Sequence, residues 1–291
     1  MSRNAIVGIA AAIAVGLLGF GFMGAGFCRA TMQVPRRVGR APRDATTVSI
    51  TAADQAKLSA WWIRAPRPNG NCVAVLHGIT DSRVSSVRFA PMFLDAGYDV
   101  LLPDSRAHGA SEGRFVTYGL LEKYDILAWT EWMKSASCGK LYALGESLGA
   151  AVLIQSAGVR PAFSAIAAEG AYADLRDAAE FRVRRMLRLP AVLARPAAGL
   201  IVGSGEYYAR WVDGVNLAHV SPVREIAGAP TPILLIHGLS DSRTPFSDSE
   251  KLEKANPRNV LWLVPNAQHT GASVAAPKEF RRRVLGWFAE H

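Results

Sequence analysis

Residues 5–28 are apolar or small at nearly every position, and no charge falls between Arg3 and Arg29. At about 1.5 Å per helical residue, such a run reaches across the roughly 30 Å hydrocarbon core of a bilayer. A cleaved secretory signal competes with a retained anchor, because Arg3 supplies a weak basic start. The run is long for a signal, no Ala-x-Ala site closes it, and Phe27 is too large to precede a lipidated Cys28. The expectation is a retained, single-pass helix over residues 1–28. Its glycines, Gly16 and Gly24 among them, suit close helix contact or simply a membrane composition. Residues 29–45 follow as a basic linker with Arg29, Arg36, Arg37, Arg40 and Arg43, expected near lipid headgroups.

Beyond the linker the pattern changes period. Residues 46–51 and 58–64 read as two strands around a polar turn at Ala53-Asp-Gln55. The run 72–77 is continuously apolar and β-branched, which suits a strand covered on both faces. Then helical and strand patterns alternate. Helices are expected over 84–96, 119–134, 147–155, 247–254 and 277–290. Strands are expected over 99–103, 141–145, 163–168, 233–237 and 260–264. Strands alternating with helices imply a mostly parallel sheet with right-handed crossovers. The alternation lapses over about 175–225. There residues 181–189 are basic and amphipathic up to Pro190, and 194–208 are small and apolar. This reads as a helical cap insertion whose plain role is to cover apolar surface, with contact to lipid or an apolar substrate as the sharper alternative.

Composition narrows the class. The chain has 291 residues, 50% hydrophobic and 20% charged, enough for one sizeable folded domain plus a terminal helix. The net charge of +9 suits nucleic acid or an anionic membrane. With no zinc-finger spacing and no basic heptads, and with arginines beside the apolar segment, the membrane is favoured and nucleic acid is not expected.

The chemistry centres on Gly145-Glu-Ser-Leu-Gly149, placed after an apolar strand and before a helix. A serine on a tight strand-to-helix turn presents its hydroxyl at a helix N-terminus, where developing negative charge is favoured. Ser147 is therefore the candidate nucleophile, against the plain reading of a helix N-cap. Of six histidines, His77 and His237 each end an apolar strand before a glycine and read as loop-shaping. His108 lies in a loop, His219 in the insertion and His291 at the end. His269 follows the last strand and is the candidate base. Asp241 follows the strand before it and is the candidate acid that orients the base. Glu169 is its rival, and a turn or cap is the plain role for either carboxylate. Oxyanion donors are expected at the backbone amides of Leu148 and Ile79. No metal site is apparent.

Leu76-His-Gly, Asp104-Ser-Arg-Ala-His-Gly-Ala-Ser-Glu-Gly113, Gly145-Glu-Ser-Leu-Gly-Ala150, His237-Gly-Leu-Ser-Asp241 and His269 come in the order and spacing of the α/β-hydrolase superfamily. The chain resembles that superfamily from about Thr46 to His291. It looks most like the branch holding serine aminopeptidase-like, monoacylglycerol lipase-like and membrane-associated hydrolases. Arg106-Ala-His-Gly departs from the Arg-Gly-His-Gly often seen there, which bears on loop shape. The resemblance implies the α/β-hydrolase fold, with a mostly parallel sheet flanked by helices, and implies no metal or organic cofactor. In that fold the strands beginning near Cys72 and following Cys138 are parallel neighbours. A Cys72–Cys138 disulfide is then sterically allowed if the Cα atoms lie within about 7 Å, with two free thiols as the alternative. The arginines after the apolar helix favour a cytoplasmic body and a disulfide an extracytoplasmic one, towards which the balance leans slightly.

The activity implied is serine hydrolysis of carboxylic esters, of small molecules or acyl lipids, through an acyl-enzyme. A peptidase or amidase on the same three residues is the first alternative. A catalytically silent, membrane-anchored binding protein is the second. Nothing in the sequence fixes the oligomeric state.

Overall fold

The computed structural model describes residues 2–291, which fall into two compact units. The larger unit, residues 34–174 and 220–291, is built on one eight-stranded sheet. Its strands are β1 (Ala45–Thr51), β2 (Lys57–Ile63), β3 (Cys72–Leu76), β4 (Asp99–Pro103), β5 (Leu141–Glu146), β6 (Ala165–Glu169), β7 (Ile233–Gly238) and β8 (Val260–Val264). The spatial order is β1-β2-β4-β3-β5-β6-β7-β8. β1 and β2 pair antiparallel at one edge, and β3 to β8 are all parallel. Every residue of β3, β5, β6 and β7 is buried, as their unbroken apolar runs require in a doubly covered sheet.

The helices are α1 (Arg3–Met32), α2 (Arg83–Ser86), α3 (Ala90–Asp95), α4 (Glu122–Ser135), α5 (Leu148–Val159), α6 (Leu175–Leu187), α7 (Ala191–Trp211), α8 (Pro222–Ile226), α9 (Ser247–Ala255), α10 (Ala272–Ala275) and α11 (Pro277–Glu290). α5 is buried from Leu148 to Ala157, as expected of a helix that is apolar all round. α11 buries Phe280, Val284 and Phe288 at four-residue spacing. Each contributes about 1.5–3 kcal/mol of burial, and Phe288 stacks on Phe93 and Tyr142.

Two helices differ from the sequence expectation for identifiable reasons. The pattern over 84–96 resolves into α2, a 3-10 turn at Val87–Phe89, and α3. Pro91 has no N–H to return to residue 87, so the chain tightens there. The helix expected from 119 starts at Glu122. That carboxylate accepts the amides of Thr117 (2.7 Å) and Gly119 (2.8 Å) and fastens the preceding turn. Cys72 and Cys138 are joined as a disulfide with Cα atoms 5.7 Å apart. The linker, expected near lipid headgroups, has one of its arginines bound within the fold. Arg36 donates to the carbonyls of Ser111 and, at 2.9 Å, of Gly113, so it is held by protein.

The smaller unit, residues 1–33 and 175–219, brings the N-terminal helix together with the insertion. α1 runs four residues past Cys28 to Met32. Phe20 and Phe27 pack on a small core of Val183, Ala198, Ile201 and Val202. The Ser204 hydroxyl is within hydrogen-bond reach of the Phe20 and Ile201 carbonyls, both at 3.0 Å, and Arg29 donates to the Tyr208 hydroxyl at 2.9 Å. Gly24 lets the backbones meet: a Cβ there would lie 2.3 Å from the Ile201 carbonyl oxygen. α1 is long and apolar enough to cross a membrane over Val15–Met32.

Candidate active site

The strand order reverses direction at β3: β4 lies on one side of it and β5 on the other. In open parallel sheets ligands bind beyond the carboxyl ends of the strands at such a switch. Ser147 sits at this point, between the end of β5 and the start of α5. Its backbone has φ 51° and ψ −112°, a conformation that costs a non-glycine residue about 1–3 kcal/mol. The surroundings hold it there. The Ser147 amide donates to the Glu169 carbonyl on β6 at 2.8 Å, and its carbonyl accepts from Ala151 at 3.0 Å. The flanking glycines are steric requirements. A Cβ on Gly145 would meet the Gly149 carbonyl at 2.7 Å, and one on Gly149 would meet the Leu76 carbonyl at 2.6 Å.

His269 lies on the loop after β8 and brings Nε2 to 2.8 Å from Ser147 Oγ. Its Nδ1 is 2.7 Å from Asp241 Oδ2. A carboxylate only accepts, so Nδ1 carries the hydrogen and the bare Nε2 faces the serine hydroxyl. Asp241 is fixed in turn by its own loop, with Oδ1 accepting the amides of Arg243 (2.7 Å) and Thr244 (3.0 Å). The two loops are tied together where Ser240 donates to the Ala267 carbonyl at 3.0 Å. Burial works to raise the Asp241 carboxyl, but hydrogen bonds from His237 and then His269 outweigh it and hold the group well below the usual carboxylate range. Such an arrangement could pass a proton from Ser147 to His269, with the carboxylate beside the imidazolium that would form.

Glu169, the rival acid, is not the partner of His269 Nδ1; that partner is Asp241. Its Oε1 accepts the Ala272 amide at 2.8 Å, and burial pushes its carboxyl up to about 7. Leu148 is the first residue of α5, and the Gly78–Ile79 loop lies beside the elbow, since a Cβ on Gly78 would sit 3.4 Å from Ser147 Cβ. His77 shapes its loop as expected, with Nδ1 at 2.8 Å from the Gly78 carbonyl and Nε2 accepting the Ser105 amide. His237 holds its loop through the Thr244 carbonyl, 3.1 Å from Nε2, and does more than that. It is fully buried, and its Nε2 lies 3.3 Å from Asp241 Oδ2. Its place directly before Gly238, four residues ahead of Asp241 and at a strand end, is the sequence signal that could have found it. Among the described residues no cluster of three or more His, Cys, Asp or Glu could hold a metal ion.

A serine on this elbow, with a histidine and an acid delivered by the last two strand–helix loops, is the layout of hydrolases built on this sheet. The Alpha/beta hydrolase family profile matches residues 73–283, and the chain belongs to that family. It is similar to the uncharacterized protein YqkD of Bacillus subtilis, 28% identical over 225 residues that span 76% of this chain and 72% of YqkD. It is also similar to the uncharacterized protein YfhR of Escherichia coli, 26% identical over 79% of this chain and 75% of YfhR. Among solved structures it resembles the Pyrococcus furiosus esterase Pf2001, with a TM-score of 0.72, 25% identity, and 90% of this chain and 98% of that one covered.

Proposed function

We propose that this chain is a membrane-anchored serine hydrolase that cleaves carboxylic esters through an acyl-enzyme. The observation that carries the reading is the continuous hydrogen-bonded line from Ser147 through His269 to Asp241, at 2.8 and 2.7 Å. Ser147 Oγ attacks the ester carbonyl carbon as His269 Nε2 takes its proton. The negative oxygen is held by the amides of Leu148 and Ile79. The tetrahedral adduct collapses, and His269 returns the proton to the departing alkoxide. Water then attacks the acyl-serine with His269 again as base, releasing the acid and restoring Ser147. The likeness to an esterase favours an ester over an amide.

The anchor reading rests on α1. Cys28 and Met32 are buried, and Phe20 and Phe27 complete the core of the inserted helices. Cleavage behind Cys28 would remove part of that core, which argues for a retained helix. An acyl-lipid substrate is supported by the outer face of α7, where Leu193 (56% exposed), Leu200 (45%), Tyr207 (68%) and Trp211 (65%) share one stripe. The Cys72–Cys138 disulfide fits an oxidising compartment and so a body outside the cytoplasm.

The test uses the full-length chain in detergent micelles with a chain-length series of p-nitrophenyl esters. Activity should fall about 10⁵-fold or more in Ser147→Ala, with the fold unchanged. A preference for long acyl chains would support a lipid ester. A wild type that ignores every ester yet is labelled by a fluorophosphonate would move the reading to a peptidase or amidase. No labelling would leave the silent binding protein.

A further inference from the structure

His237 belongs to β7, not to the loops that carry Asp241 and His269. It is the next-to-last residue of β7 and pairs in register with Leu263 of β8, so its backbone belongs to the sheet and not to a loop. Its ring is fully buried. Nδ1 lies 2.7 Å from the Ser249 hydroxyl of α9. Nε2 lies 3.1 Å from the Thr244 carbonyl and 3.3 Å from Asp241 Oδ2. A carbonyl oxygen only accepts, so Nε2 carries the hydrogen, and Nδ1 is left to accept from the Ser249 hydroxyl. The ring's neighbours therefore select one tautomer, whose N–H is shared between the Thr244 carbonyl at 3.1 Å and the acid at 3.3 Å.

The two oxygens of Asp241 are held differently. Oδ1 is gripped by two amides of its own loop. Oδ2 is the oxygen that receives His269 Nδ1–H, and His237 is the second donor to reach it. The loop amides grip Oδ1, and a donor from the strand, beside that from His269, adds a second hold on Oδ2, the oxygen that the base uses. We propose that His237 is a positioning residue of this site, whose Nε2–H fixes the Asp241 carboxylate in the orientation that keeps His269 aimed at Ser147. The proposal rests on the reading of Ser147, His269 and Asp241 as the reacting line. The hydrogen bond from His237 stands ahead of that from His269 in holding the Asp241 carboxyl low. Another ionisable group that senses this carboxylate is Glu169 on β6, which also senses His237. It is common to every variant below, so differences between variants read His237.

Two substitutions separate positioning from packing. In His237→Gln the amide N–H₂ can take the place of Nε2–H, while the contact to Ser249 is lost. In His237→Asn the shorter amide can keep the contact to Ser249, while the donor to Asp241 is lost. The readout is the rate at which a fluorophosphonate labels Ser147 in the full-length protein across pH, which needs nucleophile and base but no knowledge of the substrate. His237→Gln should label within about threefold of wild type. His237→Asn should label about tenfold more slowly, the loss expected for one hydrogen bond to a charged group. Its acidic limb should also move up by about half a pH unit, because a carboxylate stripped of one donor holds the proton of His269 more tightly. Equal rates in the two variants, or a slower Asn variant with the limb in place, would overturn the proposal. Should either variant fold poorly, the ¹⁵N shifts of the wild-type ring decide: protonated Nε2 supports the assignment and protonated Nδ1 sinks it. A wild type that is not labelled at all would instead overturn the reading of Ser147 on which the proposal stands.

Discussion

The sheet unit and the helical unit both follow an apolar pattern, but the pattern means different things in each. In β3, β5, β6 and β7 every apolar residue is buried against protein. In α7 the apolar residues form two stripes. Ala194, Ala198, Ile201, Val202 and Ala209 face inwards, while Leu193, Leu200, Tyr207 and Trp211 are exposed on the other side. α1 repeats this, with Cys28 and Met32 buried and Val15, Leu17, Leu18 and Phe22 exposed. Hydrophobicity in the first unit records a core. In the second it records a core and, beyond it, a band of exposed apolar side chains. The two units should therefore respond to different perturbations.

The largest effect is expected in the sheet unit, from its covalent tie. The Cys72–Cys138 disulfide closes a sequence separation of 66 residues. A bridge of this kind commonly contributes about 2–4 kcal/mol, so reduction should lower the melting temperature by roughly 5–15 °C. Calorimetry with and without a phosphine reductant measures it. A thiol count on unreduced, denatured protein sharpens the point: one titratable thiol, Cys28, is expected, and three would remove the argument for an extracytoplasmic body.

The helical unit should instead be sensitive at its seam. A side chain on Gly24 would lie 2.0 Å from Ser204 Oγ and 2.3 Å from the Ile201 carbonyl, and a backbone oxygen cannot turn away. Gly26 has nothing within 4 Å of its would-be Cβ. Gly24→Leu should therefore cost about 1–3 kcal/mol and Gly26→Leu almost nothing. Hydrogen exchange on the full-length protein in micelles reads this as lost protection in α7, with the amides of β3 and β5 as the internal reference. Equal effects at the two glycines would break the contrast between a packed and an unpacked face of α1.

Much of the sheet unit was legible because a doubly covered strand and a strand-to-helix elbow leave local marks. The boundaries of β8 and α11 follow the pattern residue for residue, and Ser147, His269 and Asp241 lie where the loops of a parallel sheet must put them. What escaped depends either on the weight of a single residue or on contacts distant in sequence. The break between α2 and α3 needed the weight of one proline against a helical period. The role of His237 needed the knowledge that a buried strand end lies under the acid loop. The partnership of α1 with α7 joins residues about 180 positions apart, and no periodicity within either helix announces it. Arg36 is a similar case: its charge pointed to lipid, whereas the carbonyls that hold it belong to a loop some 75 residues away.

The smallest effect expected is also the most direct check on how the loop before α4 is built. Ala107 takes φ 60°, a left-handed conformation that favours glycine, and it is 5% exposed. Holding an L-residue there costs about 1–2 kcal/mol. Glycine would relieve that cost but would add about 0.4–1 kcal/mol of lost freedom on folding and would give up about 0.8 kcal/mol of methyl burial. These contributions oppose one another at similar size, so Ala107→Gly should change stability by less than about 0.5 kcal/mol in urea unfolding. The labelling rate of Ser147 should not move, because the departure from Arg-Gly-His-Gly sits in a scaffold loop held by the Asp104 carboxylate at Arg83 and Ala110. A destabilisation above about 1 kcal/mol would mean that the methyl group of Ala107 is a packing element of the sheet unit. In that case this loop, like the seam of the helical unit, is governed by close contact and not by backbone preference.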